Sequence, residues 1–428
     1  MTKLSRRNFI KGSTLIPFIS PAIAMARLSD YSSLNVDSKE AWVRKARREI
    51  PASQDSFFQT AGIGPSPKSV MNMVNKKLHF QNKGPVHPKI SKVMSAIEGG
   101  LRNKLGKTFG AEANEVALTH STSEGINIAS WAINWNKGDE VMITNQEHPA
   151  NTIPWYSIAT RFGIKIKRLN FDVNTDIVNE IEKNITKKTR MVSIPHVSRN
   201  NGRALTVNES KLIAGILKKR NIRYHLDGAQ GPLCIPFNFH ELECDYYSTC
   251  GHKWILGPKG TGAFFCRKDI LDQTRLTWTG SHSHSSMDQL GNYTLLPEAR
   301  RFEFGTRALA TFAGFDEAIN WNNSIGINKI LKRIDQLVVF AIEDWTNRGF
   351  KVSSPTSIGQ RSGVFVIQLP KNCNGWKIYE ALQLNDFTFT SPVDAPNDLR
   401  VAIHFFNTRN EIKNTFDLIS NYCVRESF

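Results

Sequence analysis

Cysteine is scarce in this chain, six among 428 residues, and no two of the six stand in a Cys-x-x-Cys pair. That spacing excludes a zinc finger or ribbon, and it is too sparse for a disulfide framework. A single bridge in an oxidising compartment stays open. Long apolar runs are also missing. The one apolar stretch near the start, Leu15 to Ala24, is short and is broken by Pro17 and Pro21, so it cannot span a bilayer as a helix. Internal repeats and low-complexity segments are lacking too, which excludes a solenoid. Acidic residues are in deficit, 38 Asp and Glu against 55 Lys and Arg, for a net charge of +17. The excess is spread through stretches such as Trp42 to Arg48 and Lys211 to Arg223. No aromatic platform or recognisable module accompanies it, which speaks against a nucleic-acid partner. Solvated surfaces and attraction for small anions account for it better.

What is present is a regular alternation. Short apolar runs at Glu140 to Thr144, Arg190 to Pro195, Ile222 to Leu226, Tyr246 to Cys250 and Gly262 to Cys266 have strand length. Amphipathic stretches such as Asn208 to Arg220 separate them. This pattern predicts an α/β fold with a mainly parallel sheet between helices. From about Phe302 a helix rich in Asn, Ile and Leu leads into a smaller α+β lobe with strands near Gly363 to Leu369 and Arg400 to Phe406. A helical arm from Asp37 to Glu49 is expected to pack on that lobe. The boundaries read as a leader 1–26, an arm 27–60, a large domain 61–301 and a small domain 302–428.

Two residues stand out chemically. Lys253 lies in Thr249-Cys250-Gly251-His252-Lys253-Trp254-Ile255-Leu256-Gly257-Pro258, among small residues and a rigid Gly-Pro turn. A lysine held there is partly desolvated, which lowers its amine pKa and makes it reactive toward an aldehyde near neutral pH. Asp227, in His225-Leu226-Asp227-Gly228-Ala229-Gln230, ends a strand and can keep a proton on a ring nitrogen. Together they read as the lysine and the carboxylate of a pyridoxal phosphate site. Val116 to Ala129 begins as a buried strand and continues as a helix with Thr122 and Ser123 in its first turn, which makes an anion site or an ordinary hydroxyl cap. His148 follows another strand in a polar loop. Taken singly, each of these residues has a plain structural use, and their order along the chain carries the argument.

In that order the chain resembles the class V aminotransferases among the fold type I pyridoxal phosphate enzymes, from roughly Phe57 to Asn407. The resemblance implies a large domain with a mainly parallel seven-stranded sheet, a smaller C-terminal domain, and pyridoxal 5'-phosphate as cofactor. It implies Lys253 as the cofactor lysine and catalytic base, with Asp227 at the pyridine nitrogen. Thr122 and Ser123 fall on the cofactor phosphate, and His148 stacks on the ring and can accept a proton. Gln230 falls at the phenolic oxygen, and His252 borders the phosphate or the proton path. Arg400, in a late Arg-x-x-x-x-x-x-Asn-Thr stretch, is placed on the substrate carboxylate by its planar, bidentate fork. Phe302 to Arg307 resembles a segment that crosses a dimer interface, with Thr306 on the partner's cofactor phosphate. The expectation is therefore a homodimer with shared active sites.

Departures from the pattern narrow the reaction. Cys250 stands where desulfurases carry a serine, and Arg199 where they carry an asparagine. No cysteine occurs from Phe389 to Asp398, where a desulfurase presents its persulfide-forming thiol. The Cys-x-His-Lys-Trp neighbourhood leans toward the isopenicillin N epimerase-like branch. Transamination or epimerisation at Cα of an amino acid or peptide-linked amino acid is thus expected, in the tailoring of a secondary metabolite or siderophore. The alternatives are a C–S lyase or desulfurase, and a non-catalytic periplasmic binding protein on the same fold.

The start of the chain suggests where this happens. Ser5-Arg6-Arg7-Asn8-Phe9-Ile10-Lys11 precedes the apolar stretch, which ends in the small-x-small patterns Ala22-Ile23-Ala24 and Ala24-Met25-Ala26. This reads as a cleaved twin-arginine signal. Export by the twin-arginine machinery to the periplasm, without a stable membrane anchor, suits an enzyme that loads its cofactor before it leaves the cytoplasm.

Overall fold

A computed structural model of the chain describes residues 40–386 and 388–425. The leader and the first part of the arm expected from sequence lie outside the described residues. The larger lobe is built on a seven-stranded sheet formed by β1 (Val116–Thr119), β2 (Glu140–Thr144), β3 (Lys165–Leu169), β4 (Thr189–Pro195), β5 (Arg223–Asp227), β6 (Tyr246–Cys250) and β7 (Gly262–Cys266). Their spatial order is β1-β7-β6-β5-β4-β2-β3. The pairs β2 with β3, β2 with β4, β4 with β5 and β5 with β6 are parallel, while β7 is antiparallel to both its neighbours.

Alternation along these strands builds two cores. Leu118, Met142, Val192, Ile194 and Leu226 face one layer, and Ala117, Val141, Ile143, Met191, Tyr246 and Phe264 face the other. Both faces are covered, so the strands read as apolar runs with little polar alternation. β3 is the exception: Lys165, Ile166, Lys167 and Arg168 are exposed or half-buried at the sheet edge. Its charges hide it from a search for apolar runs.

The smaller lobe contains an antiparallel sheet of β8 (Val364–Gln368), β9 (Ser391–Pro392) and β10 (Asp398–Ala402), in the order β8-β10-β9. Arg400 lies inside β10, and the strand ends at Ala402, short of the expected Phe406. The helix Leu309–Ile325 packs against Lys68–Gln81 and Pro88–Phe109, and its Phe312, Phe315 and Ala318 belong to the core of the larger lobe. The arm helix is Ala41–Glu49, and it joins the smaller lobe: Trp42 stacks on Phe405, and Arg47 pairs with the buried Glu411 at 2.7 Å. Beyond it, Ser56 and Phe57 pair in parallel with Thr388 and Phe389, which ties the arm into the chain's C-terminal part.

Candidate active site

Three of the polar turns that matter follow the carboxyl ends of parallel strands, where an open α/β sheet leaves a crevice for ligands. Asp227 closes β5, the loop carrying His148 follows β2, and Arg199 lies four residues past the end of β4. Thr122 and Ser123 open a helix two residues after β1.

Lys253 sits in a tight turn after β6, half-buried. Gly257 N–H donates to the Gly251 carbonyl at 2.8 Å, and Leu256 N–H to the Lys253 carbonyl at 3.0 Å. The turn needs Leu256 in the left-handed region at φ 59°, a conformation that costs a non-glycine residue about 1 kcal/mol. A strand of backbone from the N-terminal side lies directly on it. Gly64 N–H donates to the His252 carbonyl at 2.7 Å, and a Cβ at Gly64 would lie 2.2 Å from the Lys253 carbonyl oxygen. The neighbouring Trp254 is buried, stacks on His404, and donates from Nε1 to Gln230 at 2.6 Å. Gln230 in turn donates to the Ala61 carbonyl at 2.8 Å. Both ends of the Gln230 amide are therefore engaged in holding the lysine turn, with one N–H left over for any ligand.

Burial, more than the charges around it, favours the neutral amine of Lys253. Burial lowers its pKa, and the Arg400 and Arg199 guanidiniums lower it further, against the pull of Cys250 and Asp227. Asp227 has its pKa raised by burial, opposed by the Ala229 N–H, which donates to its Oδ1 at 2.9 Å, and by the Lys253 charge. His148 is pushed down to about 4 by burial and by Lys253, Arg199 and Arg400, so its imidazole is neutral at neutral pH. Its Nδ1 accepts the Ala150 N–H at 3.0 Å, which places the ring proton on Nε2. His252 is likewise held down to about 4, by burial and the adjacent lysine.

Beneath these groups runs a buried polar chain that sequence reading did not find. Glu147 accepts from the Thr144 N–H at 3.0 Å, from the Thr144 hydroxyl at 2.8 Å and from the Asn151 amide at 2.7 Å. Asn151 meets the Ser193 hydroxyl, Ser193 meets His225, and His225 meets Ser248, at 2.9, 2.8 and 2.8 Å. Burial, with the Asp227 charge nearby, raises the Glu147 carboxyl to about 8 in spite of its three donors. The Glu-His-x-x-Asn spacing in the loop was the available signal.

On the other side stands Arg400, 6% exposed. Its Nε donates to the Ser391 hydroxyl at 2.7 Å and its Nη1 to the Arg199 carbonyl at 3.2 Å, while Nη2 makes no hydrogen bond among the described residues. Burial and the Arg199 charge lower its pKa to about 10, still fully cationic at neutral pH. The free edge of the guanidinium suits a carboxylate.

Thr306 is exposed and shares no hydrogen bond or ion pair with the other site residues among those described. Its segment is nevertheless fixed. Glu303, buried, accepts from Arg102, from Arg307 and from the Leu118 N–H at 2.7 Å, while Arg307 pairs with Glu98 at 2.8 Å. This knot ties the segment to β1.

The residues brought together fit pyridoxal phosphate. Among the described residues the Thr122 hydroxyl and His252 Nδ1 are buried without a hydrogen bond of normal geometry, as groups awaiting an anion are. Ser123 is exposed beside them at the helix start. Thr122, Ser123 and His252 would hold the phosphate, Asp227 the ring nitrogen, and His148 a face of the ring, with Lys253 at the aldehyde carbon.

Comparison with known proteins gives the same frame. The model of the family described as "Aminotransferase class-V" matches residues 57–386. A probable cysteine desulfurase of Methanothermobacter thermautotrophicus is 29% identical over 388 residues, 86% of this chain and 94% of that protein. One of Borreliella burgdorferi is 26% identical over 403 residues, 87% and 94% of the two. Among solved structures, the cystine C–S lyase C-DES in complex with cysteine persulfide superposes with a TM-score of 0.80 at 24% identity, covering 86% of this chain and 97% of that one. The apo cysteine desulfurase of Thermococcus onnurineus gives 0.79 at 22% identity, covering 89% and 98%. These likenesses establish the fold type I architecture. The relatives carry desulfurase names, and they lend no support to the epimerase-like branch.

Proposed function

This chain belongs to the aminotransferase class-V family and is a pyridoxal phosphate-dependent enzyme, and we propose that it cleaves a carbon–sulfur bond in an α-amino acid. The curated relatives, matched over nearly their whole length, are named for sulfur removal from cysteine, and this supports C–S chemistry over the amino transfer or epimerisation expected from sequence. The observation that supports one form of the reaction over another concerns thiols. Cys234, Cys244, Cys250 and Cys266 are all buried, and burial raises each of their pKa values. No cysteine lies in the loop from Phe389 to Asp398. No accessible thiolate is therefore offered to accept sulfur, and elimination is the form of C–S cleavage that needs none.

Pyridoxal phosphate, once bound, supplies an electron sink for the charge left at Cα. The chain supplies the rest. Arg400 orients the substrate through its α-carboxylate. The amine of Lys253, held toward its neutral form, removes the Cα proton. Asp227 holds a proton at the ring nitrogen, and His148, neutral, covers the site without adding charge. The Cβ–S bond then breaks with its electron pair leaving on sulfur, and addition of water to the remaining three-carbon fragment yields pyruvate and ammonia.

The proposal extends to location. The twin-arginine pattern at the start of the chain supports export, and so does the Cys373–Cys423 disulfide, Cα–Cα 5.5 Å, since such bridges persist in oxidising compartments. The test of the reaction is sulfur release. The holoenzyme should release sulfide or persulfide from L-cysteine or L-cystine, and Lys253→Ala should not. Solvent deuterium appearing at Cα of recovered substrate, with no sulfur released, would instead support the transaminase or epimerase reading.

A further inference from the structure

One charged pair at the mouth of the site has no part in the reaction above. Arg199, from the loop after β4, faces Asp394, from the turn between β9 and β10, at 3.4 and 3.5 Å. Asn200 donates from its amide nitrogen to the same carboxylate at 3.0 Å. Arg199 is largely shielded, with its side chain 21% exposed, whereas Asp394 is 67% exposed. A pair this long, with one member in water, holds weakly and can be opened by a competing anion. The Arg199 carbonyl accepts from Arg400, so two guanidiniums share one corner of the site, and Arg199 disfavours the charge on Arg400. A substrate with a single carboxylate satisfies Arg400 and leaves Arg199 to its loose partner.

We propose that Arg199 is the binding residue for a second carboxylate at the far end of the substrate, which replaces Asp394 on its guanidinium. The inference rests on the Cα-directed reading above and sharpens it to a substrate class: sulfur amino acids whose side chain ends in a carboxylate or in a second amino-acid head. The surroundings suit such a head. The Asn200 side-chain oxygen is buried without a partner among the described residues, and the Asp394 carboxylate, once displaced, stays close. An ammonium beside the second carboxylate would find both. A planar guanidinium matches the carboxylate in a way a lysine would not.

Binding, read by rapid mixing before any turnover, tests this. The visible band of the purified holoenzyme, loaded with pyridoxal phosphate, is titrated with S-methyl-L-cysteine and with S-carboxymethyl-L-cysteine, which differ in the distal carboxylate. The wild type should bind the carboxymethyl ligand at least tenfold more tightly. Arg199→Ala and Arg199→Gln should each remove that preference, weakening the carboxymethyl ligand about 10- to 100-fold while S-methylcysteine stays within about twofold. Arg400→Ala should weaken both ligands. Asp394→Asn should hold or strengthen the carboxymethyl ligand, since its competitor is gone. An unchanged preference in both Arg199 variants overturns the proposal, and so does an equal loss for both ligands, the mark of a merely structural arginine. If the preference depends on Arg199 but no sulfur is ever released, the subsite stands and the C–S reading falls; if sulfur is released without the preference, the reverse holds.

Discussion

The neighbours of Lys253 hold its amine toward the neutral form. The amine is buried, faced by two guanidiniums, and mounted on a turn gripped by Gly64, Gln230 and His404. Replacing it should remove the visible band that borohydride bleaches in the wild type, and turnover with it; a band that survives in Lys253→Ala would refute its assignment as the cofactor lysine. Glu147 makes a separate prediction. Its carboxyl is raised from the ordinary 4.5 to about 8 in the folded protein, so folding favours the protonated form. The stability that this group contributes is fully present below about 4.5 and is lost as pH rises through about 8. The melting temperature of the wild type should therefore fall relative to that of Glu147→Gln across this window, as scanning calorimetry from pH 5 to 8 would show. A wild-type melting temperature that stays level with that of Glu147→Gln, or rises relative to it, as pH increases would mean that the three donors win over burial.

At the scale of elements, what was legible was whatever lies close in sequence. The strands β2, β4, β5, β6 and β7 announce themselves as apolar runs, and Asp227, His148 and Thr122 sit just past strand ends or at a helix start, so their order along the chain already pointed to one crevice. The edge strand β3 did not show, because its outward residues are charged. Nor did the Glu147–Asn151–Ser193–His225–Ser248 chain, which exists only because β2, β4, β5 and β6 are neighbours in that order. The Glu303 knot is of the same kind, joining residues some two hundred positions apart. It holds the Phe302–Arg307 segment to β1, the strand that leads to the phosphate end of the site. Glu303→Ala leaves Arg102 and Arg307 buried without their shared carboxylate and should destabilise the protein by about 3–5 kcal/mol in urea unfolding. A loss below about 1 kcal/mol would show that water or Glu98 takes its place.

At the scale of the whole molecule, two lobes meet around one crevice: Lys253, Asp227 and His148 come from the larger, and Arg400 and Asp394 from the smaller. The net positive charge of +17 suits a site that draws in a phosphate-bearing cofactor and carboxylate substrates. The central claim is that such a site cleaves C–S bonds by elimination, with no protein thiol taking the sulfur. Identification of the carbon product formed from L-cysteine or L-cystine by the holoenzyme tests it most directly. Pyruvate and ammonia, formed in step with the released sulfur, are the predicted result; alanine, the product left when a nucleophile removes sulfur without elimination, would contradict it.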